Sequence, residues 1–210
     1  MSDFTVSIDA WTDGAAIPDR FAFGTLDANN QFAMSSNVSP AVSWSGAPEG
    51  TKSFALLCSD PDVPSSAEDV NQEGKVVPAD LPRITFFHWV AANISADRSR
   101  LAEGEGSDGV TPKGKATGDV GYGTTGSNNY TQWFDGDADM GGTYGGYDGP
   151  CPPWNDSIIH HYHFTVYALS VERLDLPADF DGPALLAAIE GHVLASASHM
   201  GTYTLNHTLR

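Results

Sequence analysis

Residues 53–59 (Ser-Phe-Ala-Leu-Leu-Cys-Ser) and 84–94 (Ile-Thr-Phe-Phe-His-Trp-Val-Ala-Ala-Asn-Ile) are apolar almost without interruption. A strand with this composition has both faces covered, so the two runs are expected at the centre of a sheet with packed layers on either side. Further strand signals fall at residues 4–10, 41–44, 163–171 and 193–205, separated by Gly, Pro, Asn and Asp. In the first of them Phe4, Val6 and Ile8 alternate with polar residues, the period of a half-covered strand. Helix signals are few. The best is at residues 183–190, with Asp181 available as a cap, Pro183 in the first turn and Gly191 as a stop; residues 98–101 give a weaker one. The pattern predicts a mainly β chain with a two-layered sheet core and few short helices. At 210 residues with 40% hydrophobic content, residues 1–210 can bury their core as a single domain.

The charge balance removes several functions. Twenty-seven acidic residues stand against 10 basic ones, for a formal net charge of −17, and the only lysines are Lys52, Lys75, Lys113 and Lys115. Nucleic acid binding needs Lys and Arg gathered on one face, and no basic cluster exists. An anionic membrane surface would repel the chain for the same reason. The acids are dispersed, with no run of five or six, a distribution that favours a surface adapted to high salt over an acidic partner-binding face. No apolar run reaches the ~18 residues of a membrane span. The first residues lack the charged and apolar regions of a signal peptide. A soluble, cytoplasmic protein is expected. Cys58 and Cys151 make no disulfide framework and read as buried, reduced thiols.

Residues 103–149 are rich in Gly, Asp, Thr and Asn, yet they carry Tyr122, Tyr130, Trp133, Phe134, Met140, Tyr144 and Tyr147. That is too much apolar surface for a solvated tether, so this stretch is expected to pack on the sheet and shape a site.

Chemistry-bearing residues gather in four places. Two proline-rich segments, Asp60-Pro61-Asp62-Val63-Pro64 and Gly149-Pro150-Cys151-Pro152-Pro153-Trp154, border the strand runs and read as turns forming a rigid rim. His88 lies within an aromatic strand, where a buried imidazole needs partners such as a carboxylate. In His160-His161-Tyr162-His163, strand alternation puts His160 and Tyr162 on one face and His161 and His163 on the other. Asp60, His88, His160 and Cys151 are ligand types suited to zinc, but their spacing matches no zinc signature, so no metal and no cofactor is expected. Cys151 with His160 could in principle form a nucleophile pair, although Cys151 sits between prolines with no evident oxyanion donor.

Taken in order, Ser39-Pro40-Ala41-Val42-Ser43-Trp44, Asp60–Pro64, Phe87-His88-Trp89, Asp108-Gly109-Val110, residues 146–154, 160–169, 191–195 and Gly201-Thr202-Tyr203 resemble the phosphatidylethanolamine-binding protein family over nearly the whole chain. Within it they resemble the bacterial and archaeal branch of Raf kinase inhibitor-like proteins, as does the insertion at residues 65–83. The resemblance implies a two-sheet β fold with a small pocket for phosphate-like groups, either phospholipid headgroups or phosphorylated side chains. Asp60 and Asp62 match the family's rim aspartates, His88 its first pocket histidine, Pro152 and Pro153 its proline turn, and His160 and Tyr162 its second histidine and pocket tyrosine. Gly149 opens the same turn. His161 stands where the family pattern has arginine. Relatives in this branch also imply a homodimer.

A phosphate beside Asp60 would be repelled unless His88 or His160 is cationic or the ligand supplies a proton, with backbone N–H groups of residues 145–149 as further donors. Affinity is therefore expected to rise as pH falls through the histidine range. The leading reading is a non-enzymatic binding module that holds such an anion and regulates a protein partner. The alternatives are a hydrolase acting on phosphoesters or acyl groups at the same pocket, and an inhibitor of a kinase or protease acting through residues 103–149.

Overall fold

The computed structural model describes residues 4–210. Its centre is a six-stranded antiparallel sheet formed by β5 (Ser53–Pro64), β6 (Arg83–Ser95), β8 (Gly118–Val120), β9 (Gly123–Thr125), β10 (His160–Leu169) and β11 (Val193–Tyr203). The strand order is β11-β10-β5-β6-β9-β8, which puts the two apolar runs in the middle. A three-stranded sheet of β1 (Thr5–Ser7), β4 (Val42–Ser45) and β7 (Arg100–Leu101) lies over one face. A hairpin of β2 (Gly24–Leu26) and β3 (Phe32–Met34) stands apart from both sheets.

Coverage on both faces explains the composition of the central strands. Between the sheets, Phe54, Leu56 and Cys58 of β5 and Trp89 and Ala91 of β6 pack with Val42, Trp44, Leu101, Phe164 and Val166. On the opposite face Ala55, Leu57, Val90 and Ala92 meet Phe180, Leu185 and Ile189. The last two of these belong to α2 (Gly182–Ile189). That helix begins where the sequence predicts, with the Asp181 carboxylate accepting the Ala184 N–H at 3.0 Å, and ends before Gly191, whose φ of +78° only glycine adopts freely.

Four expectations are corrected. The segment Asp60–Pro64 is not a turn, because β5 continues through it. Register irregularities between Cys58 and Ser59 and between Asp60 and Val63 accommodate the prolines, and pairing resumes at Val63↔Ile84. Strand β10 starts at His160, so the histidine run belongs to the strand and is paired with β11 from His160↔Tyr203 onward. Residues 98–101 supply a strand, β7, whose Leu101 side chain is buried between the sheets, because tertiary burial outweighs a weak helical preference. Strand β1 covers three residues, since the chain turns at Asp9 and carries Trp11 into the core.

Residues 103–149 pack onto the sheet as expected. They contribute the β8–β9 hairpin at its edge and a single helical turn, α1 (Tyr130–Trp133). Tyr122 and Tyr147 enter the core, and Tyr130 and Tyr144 form a separate cluster with Phe23. Close packing against Trp89 makes one glycine indispensable: a Cβ at Gly106 would lie 2.4 Å from the indole ring. Gly106→Ala should therefore lower unfolding stability in urea by roughly 1–3 kcal/mol through overpacking. Unchanged stability would show that the indole can shift freely.

Candidate functional site

The irregular end of β5, the middle of β6 and the start of β10 converge on one cavity of about 390 Å³. The irregularity between Cys58 and Ser59 leaves Asp60 opposite Phe86, with its carboxylate beside His160 of the next strand. Strand alternation adds Tyr162 on the same face as His160, and β6 contributes His88. These four side chains are buried and form the polar floor. Pro152 and Pro153 form part of the wall, with Phe23, Phe86, Tyr130 and Trp154.

His160 is the electrostatic centre of the floor. Its Nδ1–H donates to Asp60 Oδ2 at 2.7 Å and its Nε2–H to Asp156 Oδ2 at 3.1 Å. Two carboxylate acceptors require both ring nitrogens to carry protons, which is the imidazolium form. Burial alone would lower its pKa, but the hydrogen bonds to Asp156 and Asp60 and their charges push it up to about 9. Asp156 in turn accepts two bonds from Arg83, at 2.6 and 3.1 Å. Burial would raise the Asp156 carboxyl, and the bonds from His160 and Arg83 outweigh that and hold it below the usual carboxylate range. Asp60 also accepts the Asp62 N–H at 2.8 Å.

His88 is set up differently. Its Nδ1–H donates to the Asp148 carbonyl at 2.7 Å, and the Asp148 N–H donates back to the His88 carbonyl at 2.9 Å. This pairing fixes the tautomer with Nε2 as acceptor. Burial lowers the His88 pKa, partly offset by the Asp60 charge and the Asp148 carbonyl, so the ring is neutral at neutral pH. The Asp148 carboxylate is itself buried and held by Lys115 at 2.7 Å, Asn37 at 2.8 Å and Asn128 at 2.9 Å. The Tyr162 hydroxyl is buried without a hydrogen-bond partner. Burial first, and then the charge of Asp60, whose carboxylate approaches the hydroxyl without meeting hydrogen-bond geometry, keep its pKa well above normal, so it remains a donor.

Of the residues singled out from sequence, Asp60, His88, Pro152, Pro153, His160 and Tyr162 meet at the cavity. Asp62 and Gly149 are not among its lining. The Asp62 carboxylate turns to His161, accepting its backbone N–H at 2.9 Å and lying 2.8 Å from Nδ1. Gly149 packs inward, where a Cβ would come within 2.0 Å of the Phe21 carbonyl oxygen, and its own carbonyl accepts from Tyr130 at 2.7 Å. The backbone donors expected from residues 145–149 are all engaged, by Lys115, Thr125, Gly106, His88 and Asn37 in turn. No anion-binding nest forms there.

Sequence reasoning missed Asp148, Asp156, Arg83 and Lys115. Asp148, between Tyr147 and Gly149 in an otherwise apolar turn, was the one available signal. The Cys151 thiol lines the cavity and is pushed by burial up to about 12, so it stays protonated. Among the described residues no group of three or more His, Cys, Asp or Glu side chains is arranged to hold a metal ion.

The chain is a mainly β protein whose polar-floored cavity lies where β5, β6 and β10 converge. The chain belongs to the phosphatidylethanolamine-binding protein family, which it matches over residues 7–204. It is 34% identical over 194 residues to a UPF0098 protein of Methanothermobacter thermautotrophicus, spanning 92% of this chain and 94% of that one. To the UPF0098 protein YbhB of Escherichia coli it is 31% identical, over 89% and 90% of the two chains. The crystal structure of Escherichia coli YbcL superposes with a TM-score of 0.66 at 27% identity, covering 97% of this chain and 99% of that one. A family homologue from Chlamydia trachomatis superposes with a TM-score of 0.64, also at 27% identity, covering 97% and 98%.

The charge on His160 links stability to pH. Because its folded pKa of about 9 lies above the unfolded value of 6.5, the stabilisation is complete below pH 6.5 and is lost as pH rises through 9. It amounts to on the order of 3 kcal/mol at ~1.4 kcal/mol per unit. Urea unfolding across that interval should show this decline in the native chain, whereas His160→Gln should be less stable at acid pH and lack the decline. An equal decline in both would place its origin elsewhere.

Proposed function

We propose that the chain is a non-enzymatic binding protein whose cavity holds a phosphate-like headgroup in its protonated, monoanionic form. The observation that carries this reading is the unpartnered Tyr162 hydroxyl at the cavity floor, beside the acceptors Asp60 and His88 Nε2. A buried donor without a partner costs about 1–3 kcal/mol, which a ligand oxygen would recover. No Lys or Arg lines the cavity, and the charge of His160 is spent on two carboxylates. The ligand must therefore accept from Tyr162 while donating to Asp60 or His88. A monoprotonated phosphate does both, and a dianion would face the Asp60 carboxylate unshielded.

Holding is favoured over turnover by the same residues. The Cys151 thiol is protonated, and neither His160 nitrogen has a lone pair free to take a proton. Membership of a family of generally non-catalytic binding proteins supports the same reading.

Affinity for phosphoethanolamine should rise as pH falls across about 8 to 5. The phosphate dianion takes up one proton and becomes the monoanion near pH ~6, and His88 becomes cationic below its ordinary value of 6.5, since its pKa is lowered. His160 contributes nothing to this change, because it keeps its proton up to about 9. Calorimetric titration at several pH values measures the trend. Tyr162→Phe should weaken binding by roughly tenfold or more, the cost of one lost hydrogen bond. Tighter binding at pH 8 than at pH 5, or full affinity in Tyr162→Phe, would refute the arrangement.

A further inference from the structure

The cavity is much larger than the headgroup its floor can hold. Phosphate has the bulk of about three or four water molecules at ~30 Å³ each, against a cavity of about 390 Å³. A cavity in the range of ~300–1,000 Å³ normally encloses an entire small organic ligand. The remaining volume here has a consistent chemistry. Beyond the floor, the lining contains no Asp, Glu, Lys or Arg, although the chain has 27 acidic residues. Its deeper wall is aromatic. Phe23 stacks on Tyr130 with ring centroids 4.7 Å apart, and Phe86 meets Tyr130 edge-on at 5.3 Å. Tyr130 spends its hydroxyl on the Gly149 carbonyl, so it presents only its ring. At the mouth, Phe32 and Met34 from the β2–β3 hairpin and Trp133 from α1 remain 49%, 50% and 50% exposed.

We infer that the natural ligand is a compact phosphate-like monoester or acid carrying one uncharged, ring-sized apolar body, and that a two-chain phospholipid is not accommodated. This rests on the headgroup reading above. A sugar, glycerol or amino body would bury polar groups against walls that offer almost no partners for them, at a cost of roughly 1–3 kcal/mol per group. A flat ring gains both buried area and edge-to-face geometry against Phe23, Phe86 and Tyr130. Two acyl chains of membrane length, about 15 Å each as half of a ~30 Å hydrocarbon core, are too bulky to be enclosed in a cavity of about 390 Å³. Phe32, Met34 and Trp133 at the mouth are the side chains a ring-bearing body would cover.

The test uses three small molecules that divide the ligand into its parts: methylphosphonate (headgroup), 2-naphthylmethanol (body) and 2-naphthylmethylphosphonate (both, and not hydrolysable). Calorimetry on the full chain should find the naphthyl phosphonate roughly a hundredfold tighter than methylphosphonate, the effect of burying an aromatic ring. Phe32→Ala and Trp133→Ala should shrink that ratio several-fold and leave methylphosphonate binding unchanged. Both side chains are half exposed, so folding is not at stake. Tyr162→Phe should weaken both phosphonates. Vesicles containing phosphatidylethanolamine should not compete. Equal affinity for the two phosphonates, or vesicles that displace the naphthyl compound, overturns the inference and leaves the headgroup reading intact. Binding of 2-naphthylmethanol as tight as that of its phosphonate overturns the headgroup reading and retains the apolar site. Failure of all three compounds to bind overturns both.

Discussion

The cavity is organised around a positive charge that no ligand can reach. His160 is buried between Asp60 and Asp156, and Asp156 is closed on its far side by Arg83. The four groups alternate in sign, so the chain is close to neutral as a unit. Taking such charges out of water is costly, and the Coulomb attraction offsets that cost only where the geometry is complete. The geometry is complete here because three separate strands and the insertion meet at this point. Asp60 comes from the irregular end of β5, His160 from the first residue of β10 and Arg83 from the first residue of β6. Arg83 also donates to the carbonyls of Asp62 and Pro78, fixing both ends of the segment between them. The same contacts that neutralise the floor therefore set the position of the cavity wall. In such a network removing one partner is far more damaging than the net strength of the network suggests, since it leaves an unpaired charge behind.

A third buried carboxylate does the corresponding work for His88. Asp148 is surrounded by Lys115, Asn37 and Asn128, and its main chain exchanges two hydrogen bonds with His88. The two histidines of the floor thus sit in opposite states through different neighbours. One is charged by contact with carboxylate side chains, and the other is neutral because burial disfavours its charge more than the Asp60 charge and the Asp148 carbonyl favour it. That difference separates two properties of the site that sequence treats alike: His160 sustains the structure, and His88 remains free to respond to acid and to a ligand.

How far the fold could be read from sequence follows from which interactions are local. Hydrophobic runs and their period announced β5, β6 and α2, because burial on two faces or on one stripe leaves a mark in neighbouring positions. The continuation of β5 through Asp60–Pro64 left no such mark, since a strand irregularity is decided by the partner strand, and two prolines resemble a turn. For the site, Asp60, His88, His160, Tyr162, Pro152 and Pro153 were legible through strand alternation and family resemblance, and the cavity contains them. Asp62 matched by motif, but a register irregularity rotated it to the outer side, where His161 in place of the family's arginine meets its carboxylate. Gly149 matched by motif too, yet its place in the turn serves close packing against Phe21. Arg83, Asp148 and Asp156 were invisible because their meaning lies wholly in long-range pairing.

The distribution of charge finally bears on which chemistry the floor can support. A general base needs a lone pair that can take a proton, and a nucleophile needs either a low pKa or such a base beside it. His160 has no free lone pair, Cys151 is kept protonated by burial, and Tyr162 is kept protonated by burial and by Asp60. His88 and the Asp60 carboxylate are the groups that could accept a proton from a bound group, and the lowered pKa of His88 makes it a weak base. What remains is an acceptor, a donor and an acceptor in a pocket with aromatic and proline walls. Such a floor discriminates by matching the protons of its ligand. It can favour one protonation state of a bound group strongly.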